Sequence, residues 1–219
     1  MKTDAQLKTD VTNELQWDPA VDAAHVGVAA KDGVVTLTGH LETYAEKYAV
    51  ERAVQRVEGV RALALELDVK LAPGHRRSDS EIAEAAENAF KWNVAIPQDR
   101  VRLKVEKGWV TLSGEVDWDF QRRVVEKAVR ALTGVVGVSN SIILKPTVTP
   151  AKINNRIRDA LSRHAEREAK NIEVSVAGST VTLRGRVDSW AERDAAQGAA
   201  WSAPGISLVV NELRVGAAA

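Results

Sequence analysis

Residues 34–39 read VVTLTG, residues 109–114 read WVTLSG and residues 180–185 read TVTLRG. A phrase written three times in one chain points to a tandem repeat, and such a period governs every other reading of the sequence. When Gly39, Gly114 and Gly185 are superposed, Thr36, Thr111 and Thr182 coincide, as do Leu37, Leu112 and Leu183. Further on, Gly59, Gly134 and Gly205 fall together without a gap.

Working upstream, Thr3, Ser78 and Thr149 coincide, and each is a residue suited to cap a helix. Gln6 and Glu81 stand three residues on, in capping-box spacing, and Pro150 takes the first helical position of the third repeat. Apolar residues then recur every fourth position: Leu7, Val11, Leu15; Ile82, Ala86, Phe90; Ile153, Ile157, Leu161. That stripe predicts a helix with one face on a core. The helix ends near Trp17 and Trp92, which coincide and are expected to pack there.

Between helix and glycine the period changes to two. Val26, Val28 and Ala30 match Val101, Leu103 and Val105, and Ile172, Val174 and Val176. Turns KDG, EKG and AGS follow, then Val35 and Leu37, Val110 and Leu112, Val181 and Leu183. Alternation on both sides of a short turn predicts a β-hairpin with one buried face. After the glycine a second helix opens, with capping boxes at Thr43/Glu46 and Ser189/Glu192 and with Trp118 and Gln121 at the same places in the middle repeat. It closes near Gly59 and Gly134, where glycine supplies a left-handed residue. In the third repeat Gly198 and Pro204 predict an earlier stop. A last strand follows: Leu63, Leu67, Val69; Val138, Ile142, Leu144; Val209, Leu213, Val215.

Each repeat therefore reads αββαβ. The fold class is α+β: three tandem two-layer sandwiches, each with two helices on one face of a three-stranded mixed sheet. The expected boundaries are domain 1 at 1–70, a linker at 71–77, domain 2 at 78–145, a linker at 146–148, domain 3 at 149–215 and a disordered tail at 216–219. Gly39, Gly114 and Gly185 are read as tight strand-to-helix connections.

The ordered set of αββαβ elements, the VTLxG strand and the closing pattern V-x-N-x-[IL], seen in VSNSI at 138–142 and VVNEL at 209–213, resembles the BON domain. The first repeat departs from that pattern, with Leu65 where Asn140 and Asn211 stand. The resemblance implies a bacterial, non-catalytic module tied to osmotic and envelope stress and to transport-associated proteins, with phospholipid or other ligand binding. It leaves three partner classes open: an anionic phospholipid surface, a small ligand or cation, and protein partners.

The residues themselves offer no catalytic constellation. His25, His40 and His164 are replaced by other polar residues in the sister repeats, and His75 lies in a linker. No two histidines share a helix face at metal-ligand spacing. Ser113 corresponds to Thr38 and Arg184, Ser189 reads as a helix cap, and neither a G-x-S-x-G elbow nor a phosphate loop occurs. The carboxylates of EVDWDF at 115–120 suit the N-terminus of a helix better than a cation site. Catalytic, metal and cofactor residues are thus read as none. The formal net charge of +0 argues against a surface built for nucleic acid, and no paired strand aromatics of the RNA-binding kind recur, so nucleic acid is not expected as a partner. The absence of cysteine excludes disulfides and thiolate sites. No membrane-spanning run and no signal-peptide core occur in the sequence. The expected location is cytoplasmic for the chain as written, periplasmic for a processed form.

Tryptophan is the outlying residue type, with 6 present against 2 tyrosines and 2 phenylalanines. Trp109, Trp118, Trp190 and Trp201 have no aromatic counterpart in the sister repeats, and Trp201 stands where Gln55 and Arg130 predict an outward-facing position. These four are the candidate binding surface or domain–domain contact. Charge is also uneven: the first repeat is net acidic and the other two net basic. An anionic surface is therefore expected to meet the second and third repeats.

Overall fold

The computed structural model describes residues 2–145, 172–203 and 206–216. The linker at 146–148, the stripe of Ile153, Ile157 and Leu161 with its cap Thr149, His164, Pro204, Gly205 and the tail from 217 lie outside these residues.

The first repeat runs α1 (Asp4–Trp17), β1 (Val26–Lys31), β2 (Val34–Leu41), α2 (Tyr44–Arg56) and β3 (Ala62–Val69). The second repeats the order: α3 (Asp79–Lys91), β4 (Val101–Glu106), β5 (Trp109–Val116), α4 (Asp119–Arg130), β6 (Gly137–Leu144). The third shows β7 (Ile172–Ala177), β8 (Thr180–Val187), α5 (Trp190–Trp201) and β9 (Leu208–Val215). Each sheet has three strands with the VTLxG strand in the middle: β1-β2-β3, β4-β5-β6, β7-β8-β9. β4 pairs with β5 antiparallel and β6 pairs with β5 parallel, and β7, β8 and β9 repeat the scheme, so the sheets are mixed.

The caps form as their spacing predicts. The Thr3 hydroxyl accepts from the Gln6 N–H, the Ser78 hydroxyl from the Glu81 N–H, and the Gln6 and Glu81 side chains reach back to the cap backbone. Each such cap contributes about 1 kcal/mol. At the second helices, Gln121 Oε1 accepts from both Asp117 N–H and Trp118 N–H, and Glu192 from Asp188 N–H.

The hairpins turn in two residues. Asp32 and Gly33 have φ of 50° and 76°, and Lys107 and Gly108 have 52° and 76°. Positive φ at both central positions is the type I′ pattern, whose twist matches the strands. The third turn has Gly178 at φ 60° followed by Ser179, the arrangement expected of type II′.

Gly39, Gly114 and Gly185 prove to sit inside β2, β5 and β8 rather than at their ends, with φ of 126°, 128° and 131°. Gly114 pairs with Val101, and a Cβ there would run into the Arg100 carbonyl. Close approach of the 3-10 turn before β4, not a strand-to-helix bend, is what requires glycine. A second difference concerns α5. It runs to Trp201, the counterpart of Arg130 at which α4 ends, and so does not stop early. The Ser202 N–H closes the helix onto the Gly198 and Ala199 carbonyls, so Gly198 is carried within it.

The chain divides into two compact units, one of Met1–Thr38, Val50–Glu66 and Pro146–Ala219, the other of Gly39–Ala49 and Leu67–Lys145. In the first, Leu7, Val11 and Leu15 of α1 and Val50, Ala53 and Val54 of α2 are buried, as are Val35 and Leu37. Arg56 joins the two helices through Glu14 and Asp18, both at 2.8 Å. The third repeat packs Val181, Leu183, Val187, Ala200 and Leu213 in its own core, with Trp201 against it. In the second unit one core gathers Ile82, Ala86 and Phe90 of α3, Val125 and Val129 of α4, and Val110, Leu112 and Ile142 of the sheet. Full burial of each large side chain contributes about 1.5–3 kcal/mol. Val110, Leu112 and Ile142 project from the face of the sheet that the helices cover, which leaves the other face of this sheet open.

Candidate functional site

The second repeat has two chemically different ends. At one end lie the start of α3 and the turn between β4 and β5. The Asp79 carboxylate accepts from Lys107 N–H and Gly108 N–H, both at 2.8 Å, and so fixes the first turn of α3 to the hairpin tip. Beside it an open groove of about 660 Å³ is bordered by Ser78, Asp79, Lys107, Gly108 and Gly134. The first repeat has a groove of about 580 Å³ at the corresponding place, bordered by Thr3, Asp4, Asp32, Gly33 and Gly59. These grooves are made of caps and turns whose polar groups serve the fold.

The opposite end follows from the first. Because α3 begins at the hairpin tip, its last residues lie at the far end, where β4 starts and β5 stops. There α4 begins. Arg100, before β4, pairs with Asp117, before α4, at 2.6 Å, which ties the two loops together. This end carries four exposed apolar side chains: Trp92 at 90 %, Val94 at 105 %, Phe120 at 55 % and Trp118 at 41 % exposure. Exposed Lys91, Arg100 and Arg123 stand around them. Contiguous exposed apolar groups with a polar rim mark an interaction surface.

Beneath this end Asp119, the first residue of α4, is buried and pairs with Arg122 and Arg123. Asp117 and Asp119 of EVDWDF are thus taken up by arginines. Among the described residues no group of three His, Cys, Asp or Glu side chains is placed to hold a metal ion. Two carboxyls are held below their ordinary pKa ranges: Glu81 by the hydrogen bonds it accepts from Ser78, and Asp18 by its hydrogen bond from Arg56.

The signature asparagines are structural. Asn140 donates to Glu126 of α4 at 3.0 Å and accepts from Ile142 N–H at 3.2 Å. Asn211 does the same with Gln197 of α5 at 2.9 Å and Leu213 N–H at 3.2 Å. Each clasps its closing strand to the second helix.

Within the second repeat, Trp109 and Trp118 lie at opposite ends of β5: Trp109 begins the strand at the hairpin end and lies on the open face of the sheet, while Trp118 follows its other end. Trp190 is half-buried at the start of α5, with the Arg193 guanidinium 5.2 Å from its ring centroid, and Asp194 of the same helix pairs with Arg52 at 2.5 Å. Trp201, expected to face outward, packs against the third core, because apolar burial outweighs the polar character of its counterparts. The largest departure is at Trp17 and Trp92. Expected to pack at the helix end, they are 85 % and 90 % exposed. Each stands two residues past the last buried position of its helix, Leu15 or Phe90, and so on the side turned away from the core. Their recurrence at one position was the available signal.

Among the described residues no helix is long and apolar enough to cross a membrane. Osmotically-inducible protein Y of Escherichia coli (strain K12) is 25 % identical over 147 residues, 65 % of this chain and 73 % of that protein. Two solved structures of CdsD, a structural protein of the type III secretion system of Chlamydia trachomatis, one of them its C-terminal domain, align at 16 % identity. They cover 94 % and 98 % of this chain, and 90 % and 99 % of their own, with TM-scores of 0.25 and 0.27, too low to bear on function or fold. The BON domain profile matches residues 3–70, 78–146 and 150–217, and on that match the chain belongs to the BON domain family, as three tandem copies.

Proposed function

We propose that this chain is a non-catalytic, stress-associated binding module that engages anionic phospholipid surfaces through the far end of its second BON copy. The observation that carries the reading is the exposure of Trp92, Val94, Trp118 and Phe120, on segments that end α3 and begin α4 at the same end of a small domain. Amphipathic tryptophan rings favour the membrane–water interface. The exposed Lys91 adds attraction to anionic headgroups of about 1 kcal/mol where it reaches the surface, whereas Arg100 and Arg123 are already paired with Asp117 and Asp119. The association of the relative with osmotic induction supports a role under osmotic stress, and the net basic character of the second and third repeats agrees with an anionic partner.

Sedimentation with vesicles of phosphatidylglycerol in phosphatidylcholine tests it. The intact chain is expected to co-sediment, less so without the anionic lipid and less at high salt. Burial of an aromatic ring stabilises by about 1.5–3 kcal/mol, so Trp92→Ala and Phe120→Ala should each weaken partitioning about tenfold without lowering the melting temperature. Binding that persists unchanged in the double variant removes this end from the function.

A further inference from the structure

A different face of the second copy shows a second kind of surface. The open face of the sheet opposite the helices is lined by alternate residues of the three strands: Arg102, Lys104 and Glu106 of β4, Trp109, Thr111, Ser113 and Glu115 of β5, and Gly137, Ser139, Ser141 and Ile143 of β6. Trp109 faces Gly137 across the parallel pair, and its ring lies over that glycine so closely that a Cβ there would run into it. Its Nε1–H donates to the Ser139 hydroxyl at 2.9 Å. One face of the indole is thus seated on the sheet and its azimuth is fixed by a hydrogen bond. The residue remains 48 % exposed, so the other face is offered to solvent. An aromatic plane held in this way needs no reordering to stack against a ligand.

What surrounds the plane selects the ligand. Thr111 stands beside Ser139 and Ser113 beside Ser141 in register, so hydroxyls continue from the ring along the strands. The formal charges on this face balance: Lys104 pairs with Glu106 at 2.8 Å, and Arg102 and Glu115 carry opposite signs. A neutral surface of one flat ring and several hydroxyls does not complement a polyanion, whose binding depends on neutralising phosphates. It complements a molecule with a flat C–H face and hydroxyls around its rim. From this we infer that the open face of the second BON copy is a carbohydrate-binding platform. Its ligand is a neutral, β-linked chain of gluco-configured pyranoses, one of which stacks on Trp109 while its equatorial hydroxyls exchange hydrogen bonds with Ser113, Ser139 and Ser141. All-equatorial substitution leaves only C–H bonds on each face of such a ring, which suits contact with an aromatic plane. This site is independent of the lipid-facing end, and neither requires the other.

The experiment is a titration of the full chain, labelled with nitrogen-15, with chitohexaose and with cellohexaose, following the six indole N–H signals and the strand amides by NMR. The expected result is a saturable shift of the Trp109 indole signal with the amides of Ser113 and Ser141, the other indoles staying in place. Trp109→Ala should weaken binding about tenfold or more, the loss of one stacked ring. Because that change also uncovers Gly137, Ser141→Arg provides a second variant, which blocks the face without disturbing the seat of the ring and should abolish the shifts at unchanged melting temperature. The inference is overturned if neither oligosaccharide moves the Trp109 signal, if the shifts centre on another tryptophan, or if Ser141→Arg binds as the parent does. It is equally overturned if an oligothymidylate moves the Trp109 signal and the sugars do not, since the platform would then read bases.

Discussion

Replacing Gly114 by alanine tests the close approach that requires glycine in the second copy. The backbone there has φ of 128°, which L residues rarely adopt, and such a conformation costs about 1–3 kcal/mol. The added Cβ also lands on the Arg100 carbonyl oxygen, with Arg100 C at 3.1 Å and Val101 Cα at 3.2 Å. These neighbours are backbone, so no rotamer change relieves the clash; the 3-10 turn must move away from β5. Overpacking that forces a backbone shift costs about 1–3 kcal/mol more. The expected total is about 2–6 kcal/mol, a large fraction of the stability of one small domain. The chain has more than one compact unit, so a single melting curve would blur the effect. A urea titration that follows the amide signals of Val110 and Leu112 by NMR reads the second copy alone. Gly74→Ala is the internal control: nothing lies within 4 Å of a Cβ there, and the change should be neutral or stabilising by up to about 1 kcal/mol. If Gly114→Ala cost less than about 1 kcal/mol, comparable with that control, then close approach would not be the reason for glycine at this position.

Two further outcomes follow from the hydrogen bonds. Asn140→Ala leaves Ile142 N–H and Glu126 without their partner and should cost about 1–3 kcal/mol in the same urea experiment, whereas Asn140→Leu, which installs the residue type of Leu65 in the first copy, should cost less because apolar packing replaces the clasp. The Glu81 carboxyl is depressed in the folded state by its bonds from Ser78, so its contribution is present above the ordinary glutamate pKa and is lost as pH falls through the lower folded value. Melting temperatures of the parent and Glu81→Gln should therefore differ most near neutral pH and converge on acidification; a constant difference would show that charge plays no part in this cap.

The repeated architecture was legible because three copies carry the same periodicities, and a local pattern confirmed three times outweighs chance. The capping boxes at Thr3 and Ser78 and the strand alternation were legible too, since each depends on neighbours in sequence. What was not legible depends on partners distant in the chain. That Gly114 is needed because Arg100 approaches it cannot be read from TLSG, which looks like a strand end. That Trp17 and Trp92 point into solvent depends on where the helix face turns relative to the sheet, and recurrence alone does not distinguish a packed ring from a presented one. Trp201 shows the converse: its polar counterparts Gln55 and Arg130 suggested a wet position, yet in the third copy the ring rests on the core.

The bonds from the hairpin tip to Asp79 also separate the copies on the timescale of amide exchange. A two-residue turn ordinarily surrenders its amide protons quickly, for they face water. In the second copy the protons of Lys107 and Gly108 are held by a carboxylate on the first turn of α3, and they can leave only when that helix end lifts away. The first copy has Asp4 at the same place, but among the described residues it makes no such bond to Asp32 or Gly33, whose protons stay open to solvent. Deuterium uptake at the two turns would thus run at different rates within one molecule, and the turn of the second copy would act as a clock for the helix end that holds it.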